Sequence, residues 1–436
     1  MDRPFTLSEG VDSWNTIIFL YRSALKEVST KVEILNDEFQ QVHQYNPIEY
    51  IKSRIKSPES IVKKLKRYGY ESSIDNMVDY IQRGIYEDPL KLGRPNETNR
   101  PQNIYFRECE NVTIKDITLR DPASWNQTYD QCKNLYVDGI HVDSKSYWNN
   151  DGIDVVDCDG VVLKNSFIDA ADDALCFKSH DANSMCQNVV VENCVGRSSA
   201  SGLKFGTVSR GGFRNFKVKN IKIYDTYRSA ITFAAVDGAL IENIEVDGVR
   251  SIHTGNVIYL RIGDRWSAGK KPIMKNITIK NVYAEIPMDK PDAGYNYEGP
   301  IEDLPRNISP ASIVGLPEYK IQNVTLQNIE IVSPGGGNPY YAYRGLAPAE
   351  LDSIPEMATS YPEFSQFKEL PAWGFYIRHA EGITFDNVTF KALKKDYRPA
   401  IVMDDAGEVT FKDVRFIEPE GEGKKQIFPY KSKVIK

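Results

Sequence analysis

Two spacings of apolar residues divide the chain. Between Asp12 and Glu38 the apolar positions Trp14, Ile17, Ile18, Tyr21, Leu25 and Val28 recur at helical spacing. Ser57-Pro58-Glu59 is a helix start, with serine as N-cap and proline in the first turn. The helix it opens runs from Pro58 to Arg67 and stops at Gly69, and a short helix from Ser73 to Gln82 ends at Gly84. From Asn103 onward the spacing changes to short alternating strands, and the pattern repeats. Asn-Val-Thr-Ile-Lys-Asp-Ile at 111 returns as NLYVDGI at 134, GVVLKNS at 160, NVVVENC at 188 and NFKVKNI at 215. It continues as GALIENI at 238, NITIKNV at 276, NVTLQNI at 323, GITFDNV at 382 and EVTFKDV at 408.

Each unit reads as a strand, a polar turn and a second strand, with an apolar face that must be buried against the next unit. The first intervals are 23, 26, 28, 27 and 23 residues, with no helix between strands. That period predicts a parallel β-helix rather than a βαβ fold or a leucine-rich repeat. Later intervals of 38, 47 and 59 residues must carry loops. The longest insertions contain GGGNPYYAYRG and YPEFSQFKELPAWGFYIRH, whose aromatics and prolines suit the wall of a sugar cleft. Cys109, Cys132, Cys158 and Cys186 each stand two residues before a repeat anchor and are expected to stack, as buried free thiols or as disulfides between coils.

Composition narrows the classes. Apolar residues make up 41% of the chain, ample for a core, and the net charge of −6 argues against a nucleic-acid surface. No apolar run is long enough to span a membrane. The first residues lack the basic, apolar and small-residue segments of a signal peptide, so as written the chain reads as cytoplasmic. No cysteine lies in a CxxC pair, so zinc ligation has no support, and no cofactor is expected.

The stretch YWNNDGIDVVDCDGVVLKNSFIDAADDALCFKS holds the candidate chemistry. Asp151 and Asp172 are 21 residues apart, about one coil, and Asp173 follows directly. Residues one coil apart stack at roughly 4.8 Å. Carboxylates that close raise at least one pKa, which supplies an acid and a base from one residue type. The plainer reading is that aspartates favour turns between strands.

Residues 85–436 resemble glycoside hydrolase family 28, the polygalacturonase-like pectin hydrolases, through WNNDGID, DDALCFKS, SASGLKFGT and NVIYLRIGDR. The resemblance implies an all-β fold, a right-handed parallel β-helix, preceded here by a short N-terminal α-helical segment over 1–84. It implies that Asp172 protonates the leaving oxygen and that Asp151 and Asp173 activate water, with inversion. Stacked coils set carboxyls at a spacing that the general rule assigns to retention, so inversion is carried by the resemblance alone. Asn149, Lys178, Ser201, Lys204 and Arg261 become candidate substrate ligands. Ser201 stands where the family has a histidine and Gly263 where it has a lysine, and Arg261 is retained; that arginine reads equally as a surface strand residue. The implied partner is a pectic oligosaccharide or polysaccharide of the galacturonan or rhamnogalacturonan type, acted on outside the cell, with no membrane or nucleic-acid partner. A non-catalytic polysaccharide-binding solenoid and a β-helix lyase with Ca²⁺ on the aspartates are the competing readings.

The run NPIEYIKSRIKSPESIVKKLKRYG resembles the N-terminal helices of small alarmone synthetases of the RelA/SpoT type. In that family Arg54 and Lys56 would face ATP phosphates. A solvated basic helix face is the ordinary reading of the same residues. The likeness stops near Gln82, before the acids and the substrate loop of a synthetase, so pyrophosphoryl transfer is not expected. The chain reads as a chimera joined near Gln82–Gly84.

Overall fold

The computed structural model describes residues 100–146, 149–288, 291–292, 309–337, 344–419 and 424–435. The expected helices between residues 12 and 82, with Arg54 and Lys56, lie outside the described residues. Within them the strands form one continuous stack of parallel ladders, a parallel β-helix. No described helix is long and apolar enough to cross a membrane.

The earlier described coils carry three strands, not the two expected from the repeat, and in later ones the strands run together, as in Gly212–Ala235. Ile153–Val156, Asp159–Lys164 and Phe167–Ala170 lie on Gln127–Asp130, Lys133–Asp138 and His141–Ser144. Leu175–Ser179, Cys186–Glu192 and Val195–Ser198 follow on the other side. The strand that the repeat does not reveal is the first of each coil. Ile153–Val156 and Leu175–Ser179 are buried at every position, so they show no alternation. Their outer face is covered too, and it is the face that builds the site.

Asparagines turn the corners. Asn134, Asn188, Asn215, Asn243, Asn276 and Asn323 hold φ between 54 and 57°, a left-handed conformation that asparagine tolerates. Their amides join coil to coil, Asn215 donating to Asn188 at 3.1 Å and Asn243 to Asn215 at 3.3 Å. This corrects one repeat boundary: Phe216 pairs with Ile244, so the unit read from Gly238 is anchored at Asn243. The interior is filled by stacked apolar residues. Phe205 touches Phe177, Phe213, Phe216 and Phe233 with ring centroids 4.4 to 5.4 Å apart. The cysteine stack forms as expected, and all six thiols are free.

One insertion positions the site. Residues 344–374 carry a short helix, Pro348–Asp352, and a 3₁₀ turn, Phe364–Phe367. Leu351, Ile354, Phe364, Phe367 and Leu370 pack on Tyr259, Val314, Tyr376 and Val402. They roof the outer face of the first strands in the later coils.

Candidate active site

The register sets the acids in one line. Ile153 pairs with Leu175 and Leu175 with Leu203. Asp151, Asp173 and Ser201 therefore share a position just before these strands. The partner of Asp151 is Asp173 rather than Asp172; Asp172 lies over Asn150, its N–H donating to the Asn150 carbonyl at 3.3 Å. The next position is held by small residues, because the corner is tight. A Cβ on Gly152 would meet Ile168 Cγ2 at 2.1 Å, and one on Gly202 would meet Ile223 Cγ2 at 2.5 Å.

The three carboxyls have unlike surroundings. Asp151 and Asp173 are 3% and 4% exposed, whereas Asp172 is partly open to solvent. Asp172 Oδ1 accepts the Asp173 N–H at 2.9 Å. Burial, then the charges of Asp151 and Asp173, push the Asp172 carboxyl up to about 7, against the pull of Arg228 and Lys204. For Asp173 burial is again the largest influence, but Lys204, Arg228, Lys178 and the Ser201 N–H together outweigh it and hold the carboxyl below its ordinary range. Lys204 Nζ lies 3.2 Å from Asp173 Oδ2, and the Ser201 N–H donates to Oδ1 at 3.0 Å. Burial and Asp154 push Asp151 well up, with Lys178 opposing.

The expected substrate ligands divide. Asn149 is partly exposed, with its Oδ1 3.5 Å from Arg100 Nη2, and stands at the rim. Ser201 lies beside Asp173, and its Oγ has no partner among the described residues. Lys204, 1% exposed, is spent on Asp173 and lies under the Tyr361 ring at 5.8 Å. Lys178 does not face the cleft as a free cation: its Nζ donates to Asp151 Oδ2 at 2.8 Å, Asp154 Oδ1 at 2.5 Å and Cys176 Sγ at 2.8 Å. Arg261 is displaced altogether. It is 2% exposed, donates to the carbonyls of Gly315 and Glu356 and packs on Phe367, so the insertion covers it.

Other residues enter that the motifs did not single out. Arg228 sits where the ladder slips between Thr226 and Ser229, a bulge that aims its side chain at the acids. It pairs with Glu363 and lies 5.4 Å from the centroid of Tyr361, which is 41% exposed. Both partners come from the aromatic insertion, which thus walls one side. Trp125 walls the other, its ring 4.5 Å from Lys178 Nζ. Only the slip in the RSAITF strand marks Arg228, and a single sequence does not display it. Asp151, Asp173 and Cys176 bring possible metal ligands within 4.8 Å of one another. Lys178 and Lys204 already meet that charge. A separate open groove of about 880 Å³, lined by Asn220, Arg250, Asn281, Tyr283, Asn328 and Arg415, holds none of these acids.

The line of acids can divide labour. A half-open carboxyl that keeps its proton near neutrality stands beside a buried one that loses it readily, which is the requirement for acid–base cleavage of a glycosidic bond.

The chain is similar to known proteins over parts of its length. The family model for glycosyl hydrolases family 28 matches residues 91–235. A polygalacturonase of Persea americana is 23% identical over 192 residues, 44% of this chain and 35% of its own length. A hyperthermoactive exopolygalacturonase from Thermotoga maritima has a crystal structure similar to 53% of this chain and 50% of its own, at 20% identity and a TM-score of 0.40. The GTP pyrophosphokinase YwaC of Bacillus subtilis (strain 168) is 41% identical over 75 residues, 17% of this chain and 36% of that enzyme. The chain thus spans about a third of the length of these two curated relatives. Residues 91–235 match the model of glycosyl hydrolases family 28, and the chain also carries a stretch similar to part of a GTP pyrophosphokinase.

Proposed function

We propose that the chain hydrolyses glycosidic bonds of a pectic, uronate-containing oligosaccharide, with Asp172 as general acid. Asp173 is the carboxylate that draws a proton from the attacking water, and Asp151 holds the same water from the neighbouring coil. The proton on Asp172 passes to the departing oxygen, and water adds to the anomeric carbon with inversion. The observation that carries this reading is the split within one pair of adjacent residues: Asp172 pushed up to about 7 and Asp173 held down. Lys178, Lys204 and Arg261 are buried and engaged inside the protein, so recognition of a sugar carboxylate falls to Arg228, the less buried cation beside Tyr361, in exchange for its pairing with Glu363. A single cation favours a decorated pectin over plain polygalacturonate.

Incubation with a panel of galacturonan and rhamnogalacturonan oligosaccharides, read by mass and by the anomer first formed, tests the proposal. Products heavier by one water and of inverted configuration are expected. Unsaturated products lost on chelation would make it a lyase, and binding without products a polysaccharide-binding solenoid. For residues 1–84 we propose no pyrophosphoryl transfer, because positioning and charge neutralisation supply that catalysis and the similarity covers 36% of the pyrophosphokinase. Guanosine pentaphosphate formed from ATP and GTP would overturn this.

A further inference from the structure

Lys178 is the most heavily engaged cation of the site, and its partners define what it does. An ammonium has three donors. All three are used, on Asp151 Oδ2 at 2.8 Å, Asp154 Oδ1 at 2.5 Å and Cys176 Sγ at 2.8 Å. The Trp125 ring covers it at 4.5 Å, and the residue is 5% exposed. No donor remains for a sugar. Asp154, fully buried, lies on the strand that Asp151 leads into, one coil from Cys176. Two carboxyls thus share one ammonium.

We propose that Lys178 and Asp154 are positioning residues for Asp151: Lys178 fixes Oδ2 and favours the charged carboxylate, and Asp154 opposes it as a second carboxyl on the same ammonium. The inference rests on the hydrolase reading for its consequence in turnover, but its geometry is independent of the substrate. The groups facing Asp151 are Asp154 from its own coil, and Lys178, Cys176, Asp172 and Asp173 from the next; Lys204 acts through Asp173, and His180 lies against Trp125. Cys176 is buried deeply enough to stay a thiol. Removing Lys178 or removing the Asp154 charge therefore moves the ionisation of Asp151 in opposite directions, which no loss of packing would do.

The test is the titration of the Asp151 carboxyl carbon by NMR in aspartate-labelled full-length protein, alongside the pH profile of kcat/KM on pectic oligosaccharides. Asp154→Asn is expected to lower the Asp151 midpoint, and Lys178→Met to raise it, each by about one pH unit or more. Lys178→Arg is expected to keep the midpoint near that of the wild type. The acidic limb of kcat/KM should move with the midpoint in each variant. Midpoints that stay fixed, or that move the same way in Asp154→Asn and Lys178→Met, overturn the inference. So does a Lys178→Met protein that raises KM alone. If Lys178→Met does not fold, the isosteric Asp154→Asn decides. If no glycan is cleaved by the wild type, the hydrolase reading fails, and the NMR midpoints still decide the role of Lys178.

Discussion

Asp172 and Asp173 are neighbours in the chain, yet one is pushed up to about 7 and the other held down. The cause is local: Asp173 turns inward to the Lys204 ammonium and the Ser201 N–H, while Asp172 stays at the mouth among like charges. Asp172→Asn keeps the shape and removes the proton, so turnover should fall by a factor of about 10² to 10⁴ or more, measured as kcat on the best pectic substrate. In the proposed role of general acid Asp172 must be protonated, so the wild-type rate should decline as pH rises through about 7. Arg228 opposes the raised value, and Arg228→Gln should carry that alkaline limb to higher pH. The same carboxyl acts on stability. Its folded pKa lies above the ordinary value near 4, so its contribution is full below about 4 and is lost as pH rises to about 7. Asp172→Asn should therefore raise the melting temperature at pH 8 and leave it unchanged at pH 4. The three acids were singled out because the pair Asp172 and Asp173 follows Asp151 by about one coil. The roles of Lys178 and Arg261 were not, since a sequence does not show that Asp154 claims the first and that residues 344–374 roof the second.

The coil is the element that turns these residues into a site. Its second strand alternates between left-handed asparagines, such as Asn188 and Asn193, so the repeat could be read directly. The first strands are apolar throughout, and the carboxylates just ahead of them read as turn residues. Only the register aligns Asp151 with Asp173 and leaves Arg228 on a bulge. Close approach of the coils at this corner has a cost that can be measured. Gly152→Ala would place a methyl group 2.1 Å from Ile168 Cγ2 and 2.8 Å from the Ala174 carbonyl. Backbone cannot yield there without moving Asp151, so the variant should lose stability by about 1–3 kcal/mol in urea titration and lose activity beyond that loss. Phe205→Ala, in the aromatic stack far from solvent, should cost about 3–5 kcal/mol while leaving the pH profile of any remaining activity unchanged. Equal behaviour of the two variants would separate the corner glycine from the site.

At the scale of the molecule a solenoid is held together by neighbouring coils, so coils with one neighbour open first. Burial follows that rule among the described residues. Leu203, Phe205, Ile231, Phe233, Ile258 and Leu260 are inaccessible to solvent. At the two ends of the described coils, Ile104, Ile114 and Leu119, and Phe411, Phe416 and Ile427, are only partly buried. Asp151 lies two coils from the first described strand, Ile104–Arg107, and Asp172 and Asp173 lie three, since Gln127–Asp130 and Ile153–Val156 intervene before Leu175–Ser179. Opening from that end therefore reaches Asp151 and Trp125 before it reaches the aromatic core. Amide hydrogen exchange read by mass should be slowest in Leu203–Ser209 and Gly212–Ala235. It should be fastest in Thr113–Lys115, Thr118–Arg120 and Arg415–Ile417. In rising urea, the NMR signal of labelled Asp151 should change before the Phe205 region loses protection. Uniform protection along the coils, or an Asp151 signal that holds until global unfolding, would mean that the described strands open as one unit and that the edge does not govern the site.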